Sequence, residues 1–234
     1  MAVLIMMKKI MLLLGILSAG TMLSALDPVL DYDYTSGTFE RTGKMAAPII
    51  TGETLLTEEM PGAIRFDGKK NFMLVPEAKS IPLKKGATLF AFVRFDESKD
   101  YGMLFFKFGE FLLGLYKEKL LYFNTAAVPS SGKAFDSALY CPVSRGKWIT
   151  VTAVLRPNPS TWTVFLYVDG KRKTSRTFKY EKGFLQETAS DLTIGKGWGG
   201  VWFLKGDIGT VKIYDSPMND KQVMELSRKY LGKK

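Results

Sequence analysis

Apolar and polar positions alternate with a period of two along most of the chain beyond residue 26. Val151, Ala153 and Leu155 interleave with Thr150, Thr152 and Val154, which predicts a half-buried strand rich in β-branched residues. Residues 163–168 predict a second strand ending at Asp169-Gly170, a pair suited to a two-residue hairpin turn, and 171–178 its polar return. Residues 111–116 and 120–123 flank Lys117-Glu118-Lys119 as another hairpin. Residues 89–95 are apolar on both faces apart from Arg94, as in a central strand. Further strands are expected at 30–34, 63–66, 72–75, 103–108, 192–194 and 208–214. The period changes to helical once. Asn219 offers an N-cap, Gln222 completes a capping box, and Val223, Leu226 and Tyr230 share one face. Many short strands, with no linker, low-complexity run or internal repeat, predict one all-β sandwich or barrel over residues 26–234.

Residues 1–25 follow a different pattern. Lys8-Lys9 precede the apolar run Ile10–Leu17, small residues follow, and Leu23-Ser24-Ala25 offers a cleavage site. This is the layout of a secretory signal, too short for a membrane span, and a retained N-terminal anchor is the alternative. The expected location is secreted, periplasmic or cell-surface.

Composition narrows the chemistry. The 234 residues contain no histidine, which excludes a Ser-His-Asp triad, a Cys-His pair and His-ligated metals. A single cysteine, Cys141, excludes an intrachain disulfide and reads as a buried thiol beside Pro142. With 33 Lys+Arg against 23 Asp+Glu the formal charge is +10. The basic groups are spread: Lys69-Lys70, Lys84-Lys85, Lys171-Arg172-Lys173 with Arg176 and Lys179, and Lys233-Lys234. Scattered, they form a solubilising surface; converging, they would suit an anionic polysaccharide. No recognition motif supports a nucleic-acid partner.

Five patterns, in order, carry a family resemblance: Leu30-Asp31-Tyr32-Asp33-Tyr34 with Ser36-Gly37; Ala63-Ile64-Arg65-Phe66-Asp67-Gly68; residues 90–95; Trp148-Ile149-Thr150-Val151 followed by Leu166-Tyr167-Val168-Asp169-Gly170-Lys171; and Leu192-Thr193-Ile194-Gly195, Phe203–Ile208 and Val211–Tyr214 leading into the helix. Together they resemble the laminin G-like, concanavalin A-like lectin/glucanase superfamily, in its bacterial pentraxin-like branch. The resemblance implies a two-sheet antiparallel jelly-roll sandwich with a short C-terminal helix and with the first and last strands adjacent. The chain departs from the family pattern at Ile149-Thr150 and at Ile208-Gly209-Thr210.

Hydrolases and lyases share this fold. A laminarinase-type site needs Glu-x-Asp-x-x-Glu, with two carboxylates about 5–5.5 Å apart across the sugar. Asp31 and Asp33 lie on one strand face, but Ser36 stands where the third acid belongs, so they read as a surface pair. A tyrosine base remains for a lyase. Asp96 and Asp100, in the loop Asp96-Glu97-Ser98-Lys99-Asp100, offer oxygen ligands for calcium, with a solvated turn as the alternative. The binding candidates are Trp198, Trp202 and Lys196 in the loop Gly195-Lys196-Gly197-Trp198-Gly199-Gly200-Val201-Trp202, and Trp162 after Pro157-Asn158-Pro159. An indole face stacks on a sugar, whereas Trp202 and Trp162 fit equally as core. Trp148 reads as structural. The leading expectation is a secreted, non-catalytic carbohydrate-binding module. A protein-binding surface or adhesion module is second, and a glycoside hydrolase or polysaccharide lyase third.

Overall fold

The computed structural model describes residues 26–35, 40–42, 48–52, 55–57, 60, 62–76, 85–97, 101–117, 120–125, 138–179 and 188–232. The strands run β1 (Leu30–Asp33), β2 (Glu40–Thr42), β3 (Ile49–Thr51), β4 (Leu55–Leu56), β5 (Ile64–Asp67), β6 (Phe72–Val75), β7 (Ala87–Phe95), β8 (Gly102–Lys107), β9 (Phe111–Tyr116) and β10 (Leu120–Thr125). They continue with β11 (Leu139–Pro142), β12 (Trp148–Pro157), β13 (Thr161–Val168), β14 (Lys171–Lys179), β15 (Leu192–Ile194) and β16 (Lys205–Tyr214), and helix α1 (Asp220–Leu231) closes the series.

The strands form two antiparallel sheets. A nine-stranded sheet runs β14-β13-β12-β7-β16-β1-β2, with β5 also on β16 and β4 on β5; a seven-stranded sheet runs β11-β10-β9-β8-β15-β6-β3. Their inner faces bury one continuous core that includes Leu30, Phe66, Phe95, Phe105, Phe123 and Ile213. At about 1.5–3 kcal/mol for each large side chain, this burial is the main force holding the sheets together. Strand β16 is the hub: it pairs with β7 along its length, with β5 through Lys205–Ile208 and with β1 through Thr210–Ile213. The expected contact of first and last strands is therefore present, as Leu30 lies opposite Ile213. The Asp169-Gly170 turn takes positive φ at both residues, 52° and 73°, as a tight hairpin requires.

Helix α1 lies on the outer face of the nine-stranded sheet. Its capping box forms as expected, with Asn219 Oδ1 accepting from Gln222 N at 2.9 Å and Gln222 Oε1 accepting from Asn219 N at 2.9 Å. Tyr230 packs on Phe90 and Phe92 with ring centroids 5.3 and 5.9 Å apart, and Phe92 meets Trp148 at 4.9 Å. Trp148 is structural, in the cluster beneath the helix. This cover corrects the reading of β12 as half-buried: Thr150, Thr152 and Val154 are as buried as Val151, Ala153 and Leu155. Threonine alternating with aliphatic residues resembles a solvent face in sequence, but here α1 lies over it. The short strands β2, β3, β4 and β11 were not expected. Cys141 sits in β11 as a buried free thiol, and burial pushes it up to about 11 despite the opposing influence of Lys173. Residues 1–25 lie outside the described part of the chain.

Candidate functional site

The seven-stranded sheet turns Leu113, Leu115, Leu121, Phe123, Leu139 and Cys141 into the core. Alternation therefore directs Tyr116, Tyr122, Asn124 and Tyr140 to its outer face. Register aligns them: Tyr122 lies opposite Tyr140 on one side and Gly114 on the other. Gly114 is required here because a Cβ would lie 2.4 Å from the Gly102 carbonyl oxygen, where β8 and β9 approach closely.

A continuous aromatic row results. Tyr122 and Tyr140 stack with centroids 5.0 Å apart, and Tyr116 contacts them at 5.3 and 5.8 Å. Tyr101 meets Tyr116 edge-on at 5.6 Å and stacks on Trp202 at 5.9 Å. Tyr140, at the row's end, is 43% exposed. Asn124 donates to the Tyr122 hydroxyl at 3.0 Å and also lines a cleft of ≈ 260 Å³ whose walls include Phe106, Phe108, Leu112 and Trp198. Phe108 and Trp198 sit 5.2 Å apart and are 54% and 61% exposed. Asn124 thus joins the tyrosine row to the Trp198 cleft. Burial raises the Tyr122 phenol above its ordinary range, with Asn124 opposing; burial and then Tyr116 raise Tyr140. Both remain neutral hydroxyls at neutral pH, and the direction is opposite to what a tyrosine base needs.

The loop that carries Trp198 is pinned to β8. Gly195 N donates to Leu104 O at 3.2 Å, while Gly197 N and Met103 N donate to Trp202 O at 3.1 and 3.3 Å. Trp198 and Trp202 therefore join one surface, with Trp202 half-buried. Lys196 points elsewhere, its Nζ 4.3 Å from the Phe72 ring centroid and 5.8 Å from that of Phe203. Trp162 is a correction: it is fully buried between the sheets and stacks on Phe178 at 4.8 Å, so no ligand reaches its ring. The proline-rich approach resembles an exposed loop, but Trp162 lies opposite Phe178 within a hairpin. The tyrosines of the row were not anticipated. Their shared alternation within β9 and β10 was visible, but their alignment needs the register.

The acidic candidates are committed elsewhere. Asp31 pairs with Lys212. Asp33 accepts from Thr35 N and Oγ1 at 3.0 and 2.6 Å, Thr210 Oγ1 at 2.9 Å and Tyr230 Oη at 2.9 Å. Burial works to raise its carboxyl, yet these hydrogen bonds win and hold it below the usual carboxylate range. Asp33 fastens α1 to the sheet through Tyr230, while Asp31 is tied to β16. Asp96 lies 3.3 Å from Arg65 and 3.5 Å from Lys205, beside buried Asp207, which Arg94 holds at 2.6 Å and Arg65 at 3.2 Å. Calcium needs six to eight oxygens, whereas Asp96 faces two cations. Asp100 lies outside the described residues. No cluster of three His, Cys, Asp or Glu side chains suited to a metal occurs among the described residues.

A family model for the concanavalin A-like lectin/glucanases superfamily matches residues 67–224. No curated protein sequence matches the chain. Among solved structures, the receptor-binding domain of botulinum neurotoxin C/D mosaic serotype superposes with a TM-score of 0.67 at 11% identity, over 88% of this chain and 52% of that one. A structure of botulinum neurotoxin type C, whose cell entry depends on interaction with two ganglioside molecules, gives 0.62 at 12%, over 87% and 51%. Domain 4 of AbnA, an extracellular arabinanase from Geobacillus stearothermophilus in complex with arabinotriose, gives 0.62 at 13%, over 86% and 98%. The chain spans about half the length of the toxin structures and nearly all of the arabinanase domain. At these identities the likeness is one of fold.

Proposed function

The chain belongs to the concanavalin A-like lectin/glucanase superfamily, and on that footing we propose that it is an exported, non-catalytic glycan-binding module. The observation that carries this reading is the aromatic row on the seven-stranded sheet, running from Trp202 through Tyr101 and Tyr116 to Tyr140, with Trp198 standing over the adjoining cleft. Rings bring apolar faces to the C–H faces of sugars, and the neutral phenol of exposed Tyr140 can donate to and accept from sugar hydroxyls. Glu110, which lines the cleft, is bound by Lys107 at 2.9 Å and by the Thr188 amide at 2.6 Å, an arrangement suited to structure rather than catalysis. The sugar complexes of similar folds support the reading by analogy only.

The test is titration of the purified protein against a glycan panel at moderate salt. Binding that survives salt and weakens about fivefold to tenfold in Trp198→Ala or Tyr140→Ala is expected, since each ring contributes about 1 kcal/mol. A wild-type protein that binds no glycan overturns the proposal. The second reading, a protein-binding adhesion module, draws on the exposed apolar group of Trp198, Phe108 and Val201. It predicts capture of a protein partner that is lost in the same Trp198 variant while glycans have no effect.

A further inference from the structure

Strand β14 is the edge of the nine-stranded sheet, and β11 is the edge of the seven-stranded sheet. Lys171, Arg172, Lys173, Arg176 and Lys179 of β14 are all exposed. Register separates them by face. Lys171 lies opposite Val168 and Arg176 opposite Val164, two residues of the inter-sheet core, so both point toward the side on which the other sheet lies. Arg172 lies opposite Tyr167, on the helix side, where Asp220 meets it at 3.7 Å. Between these two faces the register shifts after Leu166, leaving Lys173 as the extra residue of a bulge. At these edges β14 packs against β11, and the charge of Lys173 works to lower the buried Cys141 thiol of β11. Lys171, Lys173 and Arg176 therefore lie along the seam between the two edges. No acidic residue occurs in 170–179 or 138–142.

The aromatic row ends at the same edge, because Tyr140 neighbours Cys141 on β11 and is exposed. From this juxtaposition we infer that the seam is an anion subsite continuing the glycan face, so that the ligand is an acidic glycan chain: its sugar rings lie on the tyrosines and a carboxylate or sulfate group meets Lys171, Lys173 and Arg176. This rests on the glycan reading above and sharpens it from sugars in general to polymers bearing acidic groups. The same row of cations attracts any polyanion at long range, but only a ligand with saccharide rings next to its charges also uses Tyr140.

The test compares matched probes, polygalacturonan against its methyl-esterified form and dextran sulfate against dextran, at about 0.15 M salt, where screening acts beyond ~8 Å. The triple variant Lys171→Gln/Lys173→Gln/Arg176→Gln alters exposed side chains only, and an unchanged melting temperature verifies its fold. The expected result is tighter binding of the acidic member of a pair, about tenfold weakened by the triple variant, with the neutral member unaffected. Tyr140→Ala is expected to weaken both members. Equal binding of both members, or equal loss of both in the triple variant, overturns the subsite and leaves the glycan reading standing. Failure to bind any member overturns both. Duplex DNA bound as tightly as the acidic glycan, with Tyr140→Ala without effect, reduces the seam to a general polyanion surface and overturns the assignment.

Discussion

On the nine-stranded sheet, Phe90, Phe92, Trp148 and Tyr214 point away from the inter-sheet core and are buried beneath α1; on the seven-stranded sheet, Tyr116, Tyr122 and Tyr140 point away from the same core, with Tyr122 buried between its neighbours, Tyr116 half-buried and Tyr140 exposed. Both faces arise from one rule, the alternation of strand side chains. They differ in their cover. The first spends its aromatic residues on holding a helix, anchored by Tyr230 to Asp33 at 2.9 Å and by Tyr167 to Asp220 at 2.7 Å. The second packs its rings against one another and leaves Tyr140 open at the end of the row. A row of aromatics therefore becomes a candidate for recognition only once its cover is known, and residue type alone does not distinguish the two.

Substitutions can break or sharpen this contrast. The largest expected effect is at the covered face. Tyr230→Ala removes a buried ring and should cost about 3–5 kcal/mol in denaturant unfolding, while any glycan affinity of the surviving folded fraction stays unchanged. Tyr230→Phe keeps the ring, loses the hydrogen bond to the Asp33 carboxylate, and should cost about 1.5–3 kcal/mol. Acid probes the same anchor. Because the folded state lowers the Asp33 carboxyl below its ordinary value, its contribution is complete above that value and disappears as pH falls through the folded one. Stability measured from about pH 5 down to 2 should decline, and Asp33→Asn should make that decline shallower; an unchanged slope would remove Asp33 from the anchor. Asn219→Ala should cost about 1 kcal/mol through the lost cap. Smallest is Tyr140→Ala, within about 0.5 kcal/mol on unfolding although it weakens glycan binding. A large stability loss at Tyr140 would mean that the open face is structural after all.

Much of the architecture was legible because local chemistry and global fold agree. The apolar run of β7, the Asp169-Gly170 turn and the Asn219–Gln222 box each specify their element without reference to distant residues. Legibility failed where a partner decides. Thr150 and Thr152 look solvated until α1 covers them, and Trp162 fits a loop as well as a core until its pairing with Phe178 decides for the core. Trp198 is exposed and Trp202 half-buried, both on the pinned loop. The tyrosine row is not legible in sequence because Tyr101, Tyr116, Tyr122 and Tyr140 come from four stretches of chain, and only register makes them neighbours. The Asp96 loop looked like a cation site because Arg65 and Lys205, far away in sequence, are what neutralise it.

The central position of β16 has a consequence in time. Residues 205–214 complete the pairing of β1, β5 and β7, and Asp31 must wait for Lys212 across a sequence separation of 181 residues. Until the last quarter of the chain emerges, both sheets are split into fragments with open edges, because β15 joins β8 to β6 in the smaller sheet as β16 joins β7 to β1 and β5 in the larger. High contact order of this kind slows folding and prolongs exposure of unpaired strands. Refolding should accordingly be slow and cooperative, with tryptophan burial at Trp162 and helix docking at Tyr230 appearing in one late phase rather than in sequence.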